Sequence, residues 1–199
     1  MYLYGASGHG KVIKEILDSQ GIFVNGFIDD NPNINHIIGL PVKHTIEKKD
    51  CIIISIGDNK TRKRISERIE CRIAKAAFHS TAIISKSVTL GIGTVVMAGA
   101  IVNAESIIGE HCIINTGASV DHDCRIDNYV HISPHATLCG NVNVGEGSWI
   151  GAGAIIIQGV KIGRWCVIGA GSVITKDIPD NHLAVGNRLK KIVEIKNKL

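Results

Sequence analysis

Residues 112–132 read CIINTGASVDHDCRIDNYVHI, and the large aliphatics in that run, Ile114, Val120, Ile126 and Ile132, fall six apart. Counting in sixes both ways extends the series without insertion from Ile84, Leu90, Val96, Val102 and Ile108 to Leu138, Val144, Ile150, Ile156, Ile162, Ile168 and Ile174. Two residues before each stands a small or β-branched one, among them Ala82, Thr94, Ala100, Ser106, Cys112, Ala118, Cys124, Ser148, Cys166 and Ser172. Glycines cluster just after the large aliphatic, as in Gly91, Gly109, Gly145, Gly151, Gly163 and Gly169. So strict a period over residues 82–177 is the mark of a solenoid, whose units are stable only against their neighbours. Side chains alternate along a strand, so the small residue and the large one two later face inward together. The remaining residues turn, and glycine or asparagine there tolerates positive φ. Three such hexads close a three-sided coil in which residues eighteen apart stack in columns.

The rest of the chain reads differently. Tyr2–Tyr4 is a short apolar strand, followed by Gly5-Ala6-Ser7-Gly8-His9-Gly10 and a helix from Lys11 to Gln20 with Val12, Ile13, Ile16 and Leu17 on one face. Ile22 to Ile28 is a second strand ending in Asp29-Asp30, and Cys51 to Ile56 a third ending in Gly57-Asp58-Asn59. Lys60 to Glu70 is a charged amphipathic helix, and Ile73 to Phe78 one more strand. Alternating strands and helices predict a small parallel α/β sheet, half of a Rossmann fold, with ligands beyond the carboxyl ends of the strands. Glycines there let backbone amides approach a phosphate at a helix N-terminus, and acidic residues on the next strand accept from a ribose. The spacing is Gly-x-x-Gly-x-Gly, not the dinucleotide fingerprint, and the length admits a nucleotide but not a whole dinucleotide. The expected organisation is a Rossmann-like half domain at 1–79, a β-helix at 80–182, and a C-terminal loop with a basic tail at 183–199.

Composition bounds the partners. The 199 residues are 45% hydrophobic but only 4% aromatic, which suits a narrow core of Ile, Val and Ala. A net charge of +4 suits an anionic small molecule and is too weak to argue for nucleic acid. The six cysteines contain no CxxC pair, and three fall in the inward series, so they read as reduced thiols of a cytoplasmic protein. No signal peptide or membrane-spanning run is evident.

Of the nine histidines, His111, His122, His131 and His135 lie inside the repeat. The inward positions read as apolar, so all four are expected outside the core. His122 sits at a turn between Asp121 and Asp123. A neighbouring carboxylate can hold one ring nitrogen and leave the other free as a base near neutral pH.

With both halves in view, the chain resembles the sugar-nucleotide acetyltransferases of the sialic-acid O-acetyltransferase (NeuD) and PglD type, hexapeptide-repeat proteins built on a left-handed parallel β-helix. The resemblance rests on Gly5-Ala6-Ser7-Gly8-His9-Gly10, Phe27-Ile28-Asp29-Asp30, Ile56-Gly57-Asp58-Asn59 with Arg62, and Asn115-Thr116-Gly117-Ala118-Ser119-Val120-Asp121-His122-Asp123. It implies acetyl-CoA as co-substrate, no metal, and a nucleotide sugar as acceptor. His122 would be the general base and Asp123 its acidic partner. Gly8, His9 and Gly10 would meet the diphosphate, Asp29 and Asp30 the base or ribose, and Gly57 and Asn59 the substrate. Asn115, His131 and Gly140 would lie near the thioester, and Gly151, Ala152, Gly169 and Ala170 along the pantetheine. It further implies a homotrimer with active sites between subunits. Two positions depart from the family pattern: His79-Ser80 replaces the frequent His-Pro, and Gly186-Asn187-Arg188-Leu189 replaces Gly-Asn-Pro-Ala in a loop that usually lies by CoA.

The leading expectation is N-acetylation of a UDP-4-amino-4,6-dideoxy sugar for bacterial surface glycan or glycoprotein biosynthesis, by direct transfer without an acyl-enzyme. The alternatives are O-acetylation of a sialic-acid-type sugar, a zinc β-helix enzyme using several histidines, and a non-catalytic sugar-nucleotide scaffold.

Overall fold

The computed structural model describes residues 1–187 and 191–194. Its N-terminal sheet begins with β1 (Tyr2–Tyr4), which pairs in parallel with β2 (Gly26–Ile28) on one side and β5 (Cys51–Ile54) on the other. Between β2 and β5 runs a hairpin of β3 (His36–Ile37) and β4 (Leu40–Lys43), in which β4 pairs in parallel with β2. The hairpin turns through Ile38 and Gly39, both at positive φ; too short for a periodic signal, it was not legible in the sequence. Helix α1 (Gly8–Ser19) starts three residues earlier than the sequence implied, so Gly8, His9 and Gly10 form its first turn. Its buried face is Gly10, Ile13, Ile16 and Leu17, while Val12, expected on that face, is exposed. Gly10 cannot be larger: a Cβ there would lie 2.5 Å from the Gly5 carbonyl oxygen and 2.9 Å from Phe27. Helix α2 (Asn59–Arg68) is capped by Asp58, whose carboxylate accepts from the Thr61 amide at 2.8 Å.

The stretch expected as one strand from Ile73 to Phe78 is divided. Arg72–Ile73 (β6) pairs with β5, whereas Ala77–Phe78 (β7) pairs with Val95–Val96 and is the first strand of the solenoid. The solenoid therefore opens before residue 80. From Ile83 to Ile174 every sixth residue closes a two-residue strand, and as far as Ile155–Ile156 each strand pairs in parallel with the one eighteen residues on. Three flat sheets of eight, six and five strands result. The first face carries Ala77, Val95, Ile113, His131, Trp149 and Val167 at its outward positions, the second begins at Ile83 and the third at Thr89.

The predicted inward series is the core. Val102, Ile114, Val120, Ile132, Leu138, Ile150 and Ile156 are fully buried, as are Ala100, Cys112, Ala118, Cys124 and Ala136. Burying each large aliphatic contributes about 1.5–3 kcal/mol. The inward set is not wholly apolar, however. Thr94, Ser106 and Ser148 are buried, and their hydroxyls each donate at 2.7 Å to a backbone carbonyl fifteen residues on. The same hydroxyls accept from the amides of Cys112, Cys124 and Cys166, so each of the three is satisfied as donor and as acceptor by neighbouring backbone.

Glycines at two positions of the hexad serve two ends. Those at Gly93, Gly99, Gly117, Gly147, Gly153, Gly159 and Gly171 hold the positive φ of the corners. Those at Gly91, Gly109, Gly145 and Gly163 have no room for a Cβ, which would come within 2.4–2.7 Å of the next coil. The C-terminal segment, read in the sequence as a loop and tail, instead adds two strands. His182–Val185 continues the first face, and Lys191–Glu194 pairs with it antiparallel. Gly186 donates its amide to Ser172 at 3.1 Å; Arg188 and Leu189 of the atypical loop, and residues 195–199 of the tail, lie outside the described residues. No described helix is long and apolar enough to cross a membrane.

Candidate active site

Two groups of site residues stand apart on the prism. The first is His122, at the corner between the second and third faces, one residue past the strand pair of Ser119–Val120 and Asp121. Its Nδ1 lies 2.7 Å from Asp123 Oδ2, so the ring donates from Nδ1 and leaves Nε2 free. Asp123 can reach back because it takes the positive-φ corner position, at 59°. Asp121 turns the other way: its carboxylate accepts from the His122 amide at 2.8 Å and from Asn103 at 3.0 Å. The hydrogen bond donated to Asp123, then the charge of Asp121, raise the His122 pKa above its usual value. The ring rests on the next coil, where a Cβ on Gly140 would lie 2.6 Å from Cε1 and 2.7 Å from Nε2. Gly140, expected near the thioester, is thus the floor under the imidazole. The side chain of His122 is 59% exposed in a single chain.

The second group lines a cleft of about 950 Å³ where α2 approaches the first face, between Gly57, Asp58, Asn59, Lys60 and Lys63 on one side and His131, Trp149, Trp165 and Val167 on the other. Burial, reinforced by the charge of Arg62 and by His9, pushes the His131 pKa down to about 3, so the ring is neutral. Asn115 Oδ1 accepts from the Thr116 amide, which orients its amide nitrogen toward His131 Nε2 at 3.0 Å. Nε2 therefore accepts, and the proton of His131 sits on Nδ1. Trp149 stacks on this ring, 5.9 Å between centroids, and its indole N–H donates to Ser133 at 2.6 Å. Asn115, Gly151 and Gly169 stack in one column at the corner between the first and second faces, with Ala152 and Ala170 exposed beside them. Gly151 is compelled, since a Cβ would lie 2.5 Å from the Ile168 carbonyl oxygen.

At the N-terminal half, His9 faces the same region. Its Nε2 is buried without a partner among the described residues, and burial, then Arg62, lower its pKa to about 4. Gly8 and Gly57 are unobstructed, with nothing within 4 Å of a Cβ at either. Asp29 is engaged by the main chain, accepting from the Ala6 amide at 2.7 Å and the Asn31 amide at 2.9 Å. Asp30 pairs with Arg68 at 2.6 Å and accepts from the Tyr4 hydroxyl at 2.5 Å; burial, then this hydrogen bond, pushes the phenol up to about 12. The Asn59 side chain is tied to the prism, its amide donating to the carbonyls of Gly147 at 3.0 Å and Ser148 at 3.3 Å.

One chain thus gathers Asn115, His131, Gly57 and Asn59 on one side and His122, Asp123 and Gly140 at another corner. Among the residues that sequence reasoning passed over are Trp149, Trp165 and Lys63, the last held by Glu146 and lying 5.6 Å from the Trp165 ring centre. The available signal was aromatic side chains at outward positions of a repeat otherwise poor in them. His111, expected outside the core, is 3% exposed and stacked on Tyr129 beneath α2. Within the described residues no three of His, Cys, Asp and Glu converge on a possible metal site.

A triangular parallel β-helix, a half-Rossmann sheet docked on one face and a carboxylate-oriented histidine at a corner together define a β-helix acyltransferase class. The comparisons agree. The PglD N-terminal domain model matches residues 1–69, and the bacterial transferase hexapeptide model matches 105–140 and 141–176. A histidine-to-alanine variant of the GDP-perosamine N-acetyltransferase of Caulobacter crescentus, in complex with CoA and GDP-perosamine, superposes with a TM-score of 0.90 at 37% identity, covering 96% of this chain and 95% of that one. The acetyltransferase domain of PglB from Neisseria gonorrhoeae, in complex with acetyl coenzyme A, gives 0.88 at 37% identity, covering 95% and 97%. The UDP-N-acetylbacillosamine N-acetyltransferase of Bacillus subtilis is 39% identical over 111 residues, a match spanning 48% of this chain and half the length of that protein. The chain belongs to the hexapeptide-repeat sugar-nucleotide acetyltransferase family.

Proposed function

We propose that the chain transfers the acetyl group of acetyl-CoA to the amine of a nucleotide-linked 4-amino-4,6-dideoxy sugar, for surface glycan or glycoprotein biosynthesis in the cytoplasm. The observation that carries this reading is the His122–Asp123 pair, which frees one ring nitrogen in its basic form. The sugar amine attacks the thioester carbonyl as His122 Nε2 takes an amine proton. The carbon–sulfur bond then breaks, and the imidazolium returns its proton to the departing CoA thiolate. Asp123 stabilises the imidazolium between these events. Neutral His131, with its proton on Nδ1, is the candidate donor to the oxyanion alongside backbone amides.

The nucleotide fits the N-terminal sheet by its strand order, with β2, β1 and β5 side by side. The diphosphate lies at the start of α1 beside Gly8, His9 and Gly10, with the nucleoside toward Asp29 and Asp30. The sugar then points past Gly57 into the cleft. Pantetheine follows the column of Asn115, Gly151 and Gly169. His122 lies at a different corner of the prism from this cleft, so the complete site is formed between copies of a homotrimer. A binding screen of UDP-, GDP- and CMP-linked amino sugars, followed by thiol release from acetyl-CoA, tests the reading. Tight nucleotide binding without thiol release on any amino sugar would leave a non-catalytic scaffold.

A further inference from the structure

Arg62 is the largest fully buried side chain, 1% exposed, and it has no carboxylate partner among the described residues. All five of its hydrogen bonds go to neutral oxygens. Nε donates to the His111 carbonyl at 2.7 Å, and Nη1 to the carbonyls of Ile56 and Gly57, both at 3.0 Å. Nη2 donates to Asn59 Oδ1 and to the Tyr129 carbonyl, both at 2.9 Å. Asn59 in turn donates to the Gly147 carbonyl. Residues 111, 129 and 147 are the positive-φ corner residues of three successive coils. Arg62 and Asn59 therefore read the coil repeat itself, at a corner carbonyl of each of the three coils.

The rest of the α2 face follows suit. Lys63 pairs with Glu146, and the Ser66 hydroxyl lies 2.9 Å from that of Tyr129. Burying an unpaired guanidinium is costly, and burial does lower its pKa to about 10. Elsewhere the two halves join through apolar contact, where the core of Leu3, Ile13 and Leu17 continues into Ala77, Val95 and Ile113, and through the Ser80 amide, which donates to Ser19 Oγ at 3.0 Å. What the guanidinium fork adds is geometry: five fixed donors that bind the substrate-side loop at Ile56 and Gly57 and the prism corner in one rigid group.

We infer that Arg62, with Asn59, is a positioning residue for acetyl transfer: it sets the register in which the nucleotide-binding half sits on the coils, and so where the sugar amine meets the thioester. This rests on the reaction proposed above. Arg62 touches no substrate. Its loss leaves the nucleotide contacts within the N-terminal half intact but displaces the bound sugar, and misplacement by about 1 Å can cost roughly 100-fold in rate.

The test compares Arg62→Lys, which keeps the charge but loses the fork, with Asn59→Ala, which keeps the Arg62 guanidinium but removes its bond to Asn59 together with the Gly147 and Ser148 bonds. Nucleotide-sugar titration, thiol-release kinetics and amide hydrogen exchange are measured on each. The expected result is a kcat reduced by ~10- to 100-fold in Arg62→Lys and less in Asn59→Ala, nucleotide-sugar affinity within about threefold of the parent, and faster exchange at residues 57–63. If Arg62→Lys does not fold, Asn59→Ala carries the test alone. A kcat within twofold of the parent in the folded variants overturns the inference, as does a loss of kcat matched by an equal loss of affinity. Should the parent transfer no acetyl group, the reading of the reaction fails, while unchanged exchange at 57–63 in Asn59→Ala would still refute the lock.

Discussion

Inside the prism every side chain is set by its place in a six-residue count; at the corners the same count leaves side chains free. Val120 and Ile126 are buried to within 2% and exchangeable in kind with Val102 or Ile108 eighteen residues before. His122, two residues from Val120, has no such equivalent: its column holds Ala104 before it and Gly140 after it. The stabilising information of the fold lies in the period, and the chemical information lies where a corner departs from it. Positive φ at the corners sharpens the contrast, since Asp123, Tyr129, His135 and Trp165 all take a conformation that glycine would hold more cheaply.

That comparison can be broken from either side. The largest effect is expected inside. Leu138→Asp would place a carboxylate in the fully buried column between Val120 and Ile156, a cost of several kcal/mol that no neighbour offsets. The variant is expected to lose the cooperative thermal transition of the parent and to express as aggregate; a parent-like melting curve would show that the inward column does not carry the stability.

At the corner, Gly140→Ala should act on rate and not on fold. Gly140 is not among the positive-φ glycines, and the atoms nearest to the added methyl belong to the movable His122 ring. Displacing that ring should lower kcat by up to ~100-fold, with a melting temperature close to that of the parent. Equal losses of rate and stability would mean the glycine serves packing alone.

A smaller effect is expected from Asp123→Asn, which preserves the corner backbone because asparagine also accepts positive φ. In the parent, Asp123 and Asp121 raise the His122 pKa, so the basic form, and with it kcat, develops as pH rises through a value above the ordinary ~6.5 of histidine. Removing one carboxylate lowers that pKa. The acidic limb of the pH–rate profile should move to lower pH, while the plateau falls roughly tenfold as the imidazolium loses its partner. A limb that stays in place would assign the titration to another group.

The contrast also explains what could be read from sequence. The β-helix was legible because Ile84 to Ile174 repeats without insertion, and the His122–Asp123 pair because two carboxylates flank one histidine at a turn. What stayed hidden is non-periodic and long-range. The β3–β4 hairpin is too short to show a pattern. Ala77–Phe78 belongs to the prism only because it pairs with Val95–Val96, a contact across eighteen residues. Asn59 read as a substrate ligand because it ends a strand loop, yet its amide binds a carbonyl 88 residues away. His111 read as lying outside the core because the count gives it no inward position, yet the docking of α2 buries it. The four hydroxyls in the inward series looked like small fillers, whereas at Thr94, Ser106 and Ser148 each joins two coils through the backbone.

The central claim is that a corner imidazole, freed at one nitrogen by its carboxylate, takes the proton from the acceptor amine. The direct measurement is steady-state thiol release by His122→Ala beside nucleotide-sugar titration of the same preparation. The account predicts a kcat lower by ~10²- to 10⁴-fold with nucleotide affinity retained. Turnover equal to that of the parent would contradict it.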